Sequence, residues 1–439
     1  MKRILPDYSY SDGPRTACYW DETTTAPVWP RHDGEAKVDV AIIGGGFTGL
    51  SAALHLAEAG VDVAVLEAKT PGWGASGRNG GFCCIGGSRR SEKGLMRDYG
   101  LAVAEEYLNA EVAAVDLVDG LIARLGLEVD RHSDGETLLA HRPSDMRYLE
   151  AQAAEMVREG GPTPILLRRQ DLAGAGLRAD FYGALTTPKG FALNPQKYLF
   201  GLAGAAQAAG AGLYAESAVQ TIKRADGGWV LTTAQGRVTC DKVLIATNGY
   251  SSEDLPNWMA GRYMPTQSSV LVTRPLTQTE IDAQGWSSHQ MCYDTRHLLH
   301  YFRLMPDRRM LFGMRGGLKG TASSETAARA KLRTHFDKMF PAWRGVEATH
   351  CWSGLVCLTR HRLPFAGPIP DQPGMFAGFA YHGNGVAMGS YSGFLLSQLA
   401  QGKNPVPQAM QTPPPRFELG GARRAIMPVV YASLMLADI

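Results

Sequence analysis

The chain has no long apolar run. No stretch approaches the roughly 18 consecutive apolar residues a membrane-spanning helix needs, and the basic N-terminus lacks the apolar core of a secretory signal. It has no charge of one sign to spare: 44 Lys and Arg stand against 42 Asp and Glu. That balance argues against nucleic acid or an anionic membrane as partner. It has only seven cysteines, at 18, 83, 84, 240, 292, 351 and 357, without the paired spacing of a metal site or a CxxC redox pair. An odd, scattered set reads as reduced thiols in a cytoplasmic protein. Internal repeats are missing too. What is present is glycine, 51 of 439 residues, and much of it is grouped.

The most telling group follows Val38-Asp-Val-Ala-Ile-Ile, an apolar run that predicts a buried strand. Gly44, Gly46 and Gly49 come next, then an apolar helix pattern, then a second strand pattern from Val61 ending in Glu67. Strand, glycine turn, helix, strand and acid in that order suit a dinucleotide. The first glycine permits the turn, the second lets backbone approach a pyrophosphate, and the third lets helix and strand pack closely. Free amides at the helix start attract phosphate, and Glu67 suits ribose hydroxyls. The alternative is a tight βα turn of another α/β protein. Further along, Leu101–Leu125 has helix periodicity, and Asp134-Gly135 predicts a hairpin turn. Asn194-Pro195 predicts a helix start, and Pro306-Asp307 the turn of a second hairpin. Pro413-Pro-Pro reads as a spacer before a short apolar end, Ala425–Leu436.

Four ordered segments carry a resemblance over nearly the whole chain. They are Gly44–Glu67, the loop Gly74-Ala-Ser-Gly-Arg-Asn-Gly-Gly81, the strand end Ala246-Thr-Asn-Gly-Tyr250, and Leu363-Pro-Phe-Ala-Gly367 with Tyr381-His-Gly-Asn-Gly-Val386. Together they resemble the D-amino-acid oxidase superfamily of FAD-dependent amine oxidoreductases, in the branch that contains γ-glutamylputrescine oxidoreductase. The resemblance implies an α/β (α+β) fold, a Rossmann-like FAD domain with a mixed or antiparallel substrate sheet. The expected FAD domain is discontinuous, 37–90, 190–262 and 350–402. The substrate domain is 91–189 and 263–349, with a lead segment 1–36 and a tail 403–439.

The same resemblance implies cofactor contacts from Ser76, Gly77, Arg78, Asn79, Gly80 and Gly81, from Val219, Asn248 and Gly249, and from Gly367, Gly383, Asn384, Gly385 and Val386. A planar isoalloxazine needs backbone without side chains beside it, which the glycines provide, and a helix N-terminus at Gly383–Gly385 favours negative charge on a reduced ring. Relatives that attach FAD covalently use a cysteine near the C-terminal motif. Leu358–Pro364 has none, so noncovalent FAD is expected, and His361 stands where many relatives carry an acid.

The implied reaction oxidises a C–N bond of a small amine or amino acid to an imine, with electrons passing to oxygen to give hydrogen peroxide or to another acceptor. A dehydrogenase serving a quinone or protein, with the apolar tail lying on a membrane surface, and a non-catalytic flavin subunit are the alternatives. His382 is the candidate catalytic side chain, or a structural histidine steadying its turn. Arg303 is a candidate clamp for a substrate carboxylate, or an internally paired arginine. Tyr301 and Trp352 are candidate cavity walls, or core. Arg308, Arg309 and Arg315 are expected at the surface, and Cys83 and Cys84 as small buried thiols. A carboxylate is common to γ-glutamyl amines, N-methyl amino acids and cyclic imino acids such as pipecolate.

Overall fold

The computed structural model describes residues 1–158, 162–225 and 227–438. Its first sheet orders strands 365–368, 375–379, 236–245, 34–43, 63–66 and 212–214, with a meander of 228–232 and 221–225 added at strand 236–245. The strands from 375 to 214 in this order run parallel. Val63–Leu66 is buried at all four positions and Gly34–Ile43 at its last four, as a parallel sheet covered on both faces requires. Helices Phe47–Glu58, Pro195–Ala208 and Ala387–Ala400 cover one face. They approach closely because Gly393 has no side chain: a Cβ there would stand 2.3 Å from the Thr48 carbonyl.

The second sheet orders strands 348–358, 264–273, 310–315, 300–304, 291–294, 136–140, 183–187 and 165–168. All neighbours are antiparallel except 291–294 with 136–140, so the sheet is mixed. On one face Phe302 and Phe312 of the strands pack edge-to-face and stacked against Trp286, Phe336 of helix Ala322–Met339, and Phe340 and Trp343 just after it. The opposite face carries Tyr301, Ser268 and Val270, which look toward the glycine loops.

Local signals set the element ends. Leu101–Leu125 is one helix, closed by Gly126 in the left-handed conformation. Asn194 caps Pro195–Ala208, accepting from the Gln196 and Lys197 amides at 3.1 and 3.3 Å. His300–Leu304 and Met310–Arg315 pair across the Pro306-Asp307 turn. The hairpin expected at Asp134-Gly135 does not form. Glu136–Ala140 takes its partners from 183–187 and 291–294, and the residues before the turn contribute only a bridge, His132 to Ala192. The turn chemistry is local there, but the pairing is not.

The apolar end forms helix Met427–Ala437 beside the second sheet. Arg423, fully buried, donates to Glu253 at 2.6 Å and to the Tyr263 carbonyl at 2.9 Å. Arg424 donates to the Pro265 and Leu318 carbonyls. Asp438 accepts from the His297 and Leu298 amides at 2.7 and 3.0 Å. Arg423 and Arg424, the basic residues beside this apolar helix, thus bond inside the fold rather than face a membrane surface. Among the described residues no helix is long and apolar enough to cross a membrane.

Candidate active site

One cavity of about 430 Å³ runs between the two sheets. Its first end is built by the opening motif. Gly44 has φ +108°, and a Cβ would lie 2.8 Å from the Ala246 carbonyl; at Gly49 a Cβ would lie 1.9 Å from the Gly44 carbonyl. Glu67 reaches across the turn to accept from the Gly45 amide at 2.8 Å and the Lys69 amide at 2.9 Å. Burial raises its pKa, and those amides oppose the rise. Val219 lines the wall beside it.

The middle is built by the loop 74–81. Ser76 accepts from the Phe47 amide at 3.0 Å, so it sits at a helix N-terminus facing the cavity. Asn79 closes its own loop, donating to the Ser76 carbonyl at 2.9 Å and accepting from the Gly81 amide at 2.8 Å. Gly80 lies against Tyr301, whose ring would stand 2.9 Å from a Cβ there. Arg78 is 2 % exposed, rests on the Trp73 ring at 4.3 Å and donates to the Trp73 and Ser353 carbonyls at 2.7 and 3.2 Å. Its Nη2 has no partner and burial lowers its pKa. An unmet buried guanidinium donor lining the same cavity as a helix start is a donor set that suits a pyrophosphate. With the bare backbone at Gly44, Gly46 and Gly80, these residues fit FAD. Glu67 would hold its ribose, Ser76 and Arg78 its phosphates, and the turn 383–386 its ring.

That turn begins helix Ala387–Ala400 and lines the cavity with Gly383, Asn384, Gly385 and Val386. Asn384 donates to the Cys84 carbonyl at 2.7 Å. His382 is committed on both nitrogens. Nδ1 donates to the Gly87 carbonyl at 2.8 Å and Nε2 accepts from the Thr359 amide at 3.2 Å. Burial drives its pKa down to about 3. Of the two roles expected of His382, these bonds fit the structural one, a neutral imidazole steadying its turn, and the residue also lines the cavity. Its carbonyl accepts from Arg315 at 3.2 Å.

Of the expected site residues, Gly49, Gly77, Gly81, Gly249 and Gly367 do not line the cavity. Gly49, Gly77 and Gly81 act behind it, where a Cβ would stand 1.9 to 2.0 Å from a carbonyl oxygen. Asn248 lines it while accepting from the Ala380 amide at 2.9 Å. Trp352 is fully buried, donates to the Arg78 carbonyl at 2.7 Å and supports the loop from behind. Arg303 is corrected as well. Fully buried, it donates to the Leu193 carbonyl at 2.8 Å and meets His132 Nε2 at 3.0 Å, with no surface on the cavity. Tyr301, two residues earlier on the same strand face, does reach it, its hydroxyl 2.9 Å from Ser268 Oγ. The cavity ends at that ring, one strand pleat short of Arg303.

Sequence reasoning missed Arg89, Arg315, Tyr293 and Glu136, all on the wall facing the glycine loops. Arg315, expected at the surface, ends strand Met310–Arg315 in this wall. Arg89 lies deep among its neighbours, where burial and Arg315 push its pKa down to about 10, yet it keeps exposed surface and lines the cavity. Neither arginine is among the ion pairs, and the Arg89 side chain makes no hydrogen bond within the described residues. The available signals were faint: an arginine before Gly316-Gly317, and an acid opening an apolar strand.

Several imidazoles resist protonation when folded: His132 and His382 at about 3, His335 and His361 at about 4. Burial is the largest cause in each case. Unfolded imidazoles take protons below about pH 6.5, so the unfolded state binds more protons between there and about pH 4. Glu111 and Glu136, held at about 7 and 8, act in the opposite sense with fewer groups. Stability is expected to fall as pH drops through that window. Thermal melts across it check this, and a flat or rising melting temperature would count against the assignment.

The comparisons with known proteins agree with this geometry. The family model described as "FAD dependent oxidoreductase" (DAO) matches residues 39–399. A probable oxidoreductase OrdL of Rhizobium meliloti is 33% identical over 392 residues, 88% of each chain. The γ-glutamylputrescine oxidoreductase of Escherichia coli is 32% identical over 365 residues, 83% of this chain and 84% of that one. The crystal structure of glycine oxidase from Geobacillus kaustophilus superposes with a TM-score of 0.70 at 21% identity, covering 86% of this chain and 98% of that one, a likeness of fold. The family model spans most of the chain, and the chain belongs to the DAO family of FAD-dependent oxidoreductases.

Proposed function

We propose that the protein oxidises the C–N bond of an amine or amino acid bearing a carboxylate, giving an imine that water hydrolyses, with electrons passing to oxygen to form hydrogen peroxide. The observation that carries this reading is the pair Arg89 and Arg315, two guanidiniums without a carboxylate partner on the wall of the flavin cavity. They take the role expected of Arg303: an anionic group beside them would offset the burial and the Arg315 charge that lower the Arg89 pKa. Bound FAD supplies the two-electron acceptor; the chain's own work is to orient the amine. Tyr301 and Ser268 wall that space, and the turn 383–386 at a helix start would hold the ring and favour negative charge on it.

A second reading, a dehydrogenase passing electrons to a quinone or protein, is favoured by one feature. Helix Met427–Ala437 leaves Val429 and Leu436 each 72% exposed, an apolar surface suited to a partner. Anaerobic mixing with γ-glutamylputrescine, glycine, sarcosine and pipecolate tests the first claim by bleaching of the flavin. Peroxide yield against dye reduction, with whichever amine bleaches, separates oxidase from dehydrogenase. The cofactor is expected to be noncovalent: acid precipitation should leave the yellow colour in the supernatant, and a yellow pellet would contradict that.

A further inference from the structure

Glu136 opens strand Glu136–Ala140 on the cavity wall, only 5% exposed. It belongs to no ion pair among the described residues, although the guanidinium of Arg89 lines the same cavity. Its Oε2 is buried in the cavity wall with no hydrogen-bond partner among the described residues. The Tyr293 hydroxyl, the Ile85 amide and the Cys84 thiol neighbour the carboxyl and oppose the rise in its pKa, while burial, the largest cause, and Glu111 on helix Leu101–Leu125 raise it. Cys83 lies behind Cys84, and Tyr148 lies beyond Tyr293. A carboxyl oxygen with an unmet acceptor in a substrate cavity calls for a donor.

The reaction proposed above brings such a donor. An alkyl amine reaches the cavity as an ammonium, with a pKa near that of lysine, about 10.4, and its nitrogen lone pair is unavailable until a proton leaves. An exposed carboxylate of pKa about 4.3 is a poor base for that step. Burial raises Glu136 to about 8, closer to the amine. Resting on the amine-oxidation reading, we propose that the Glu136 carboxylate accepts the ammonium proton of the bound substrate. The N–H bond breaks, an O–H bond forms on the carboxyl, and the electron pair stays on nitrogen for the oxidation. Tyr293 is a positioning residue that holds the carboxyl through its hydroxyl. After turnover the proton returns to water when the product leaves.

The test is the pH dependence of kcat/KM for flavin reduction in the FAD-loaded protein, from about pH 6 to pH 10, with the amine of the four-member panel that bleaches fastest. The wild type should show an acid limb near pH 8. Glu136→Gln should lose that limb, fall roughly 100-fold at pH 7, and recover as the free amine appears at high pH. Glu136→Asp should keep a limb. Tyr293→Phe removes a bond that lowers the carboxyl's pKa, so its limb should move to higher pH, a readout that survives if the Gln variant fails to hold FAD. A wild-type profile in Glu136→Gln, or an unmoved limb in Tyr293→Phe, would overturn the assignment. If no panel amine bleaches the wild type, the amine reading itself falls, and Glu136 with it. Bleaching with an unchanged variant profile would remove Glu136 alone.

Discussion

Gly49→Ala should leave the protein colourless. The added methyl would stand 1.9 Å from the Gly44 carbonyl and 3.3 Å from Ile42 Cγ2, so strand and helix must part for it to fit. Such overpacking costs about 3 kcal/mol, and the movement opens the turn that holds Gly44 at φ +108°, where the FAD phosphates would sit in the proposed cradle. Flavin-to-protein absorbance after purification reads the effect directly. Gly120→Ala is the control. Gly120 lies in helix Leu101–Leu125 with no atom within 4 Å of its Cβ position, so alanine should stabilise by about 0.5–1 kcal/mol and leave FAD content unchanged. Equal FAD content in both variants would contradict the cradle.

Arg89→Met should raise KM for a carboxylated substrate by about 30-fold or more, the loss expected when one charge of a desolvated pair is removed. FAD content and folding should survive, because the Arg89 side chain has no partner within the described residues to lose, and the chain is spared the cost of a partly desolvated guanidinium. Arg315 is the less clean choice, since its bond to the His382 carbonyl also supports the turn 383–386. An unchanged KM for every carboxylated panel amine would show that the anion binds elsewhere.

Where chemistry depends on consecutive residues, sequence alone was enough. The strand–glycine–helix–acid run of 38–67 is a covalent neighbourhood, and its signals agree with one another. The Asn194 cap and the Pro306-Asp307 turn are local in the same way. Residues of the substrate wall are not neighbours in the chain. Glu136 and Tyr293 lie on adjacent parallel strands 136–140 and 291–294, whose paired residues are 155 positions apart in sequence, and Arg315 pairs with Ser268. Arg303 departs from its expected place in depth, not in face. Strand alternation correctly grouped Arg303 with Tyr301, but nothing in the sequence says that the cavity stops at the Tyr301 ring. The hairpin misread at Asp134-Gly135 has the same origin, because the strand after that turn is recruited by distant partners.

The central claim is that Arg89 and Arg315 seat a carboxylate while the amine meets the flavin. The most direct measurement is anaerobic flavin bleaching by γ-glutamylputrescine, glycine, sarcosine and pipecolate, each compared with its decarboxylated counterpart. The account predicts that at least one carboxylated amine bleaches the flavin in the wild type, that its counterpart does so far more slowly, and that Arg89→Met narrows the gap. Bleaching that ignores the carboxylate, or no bleaching at all, would contradict it.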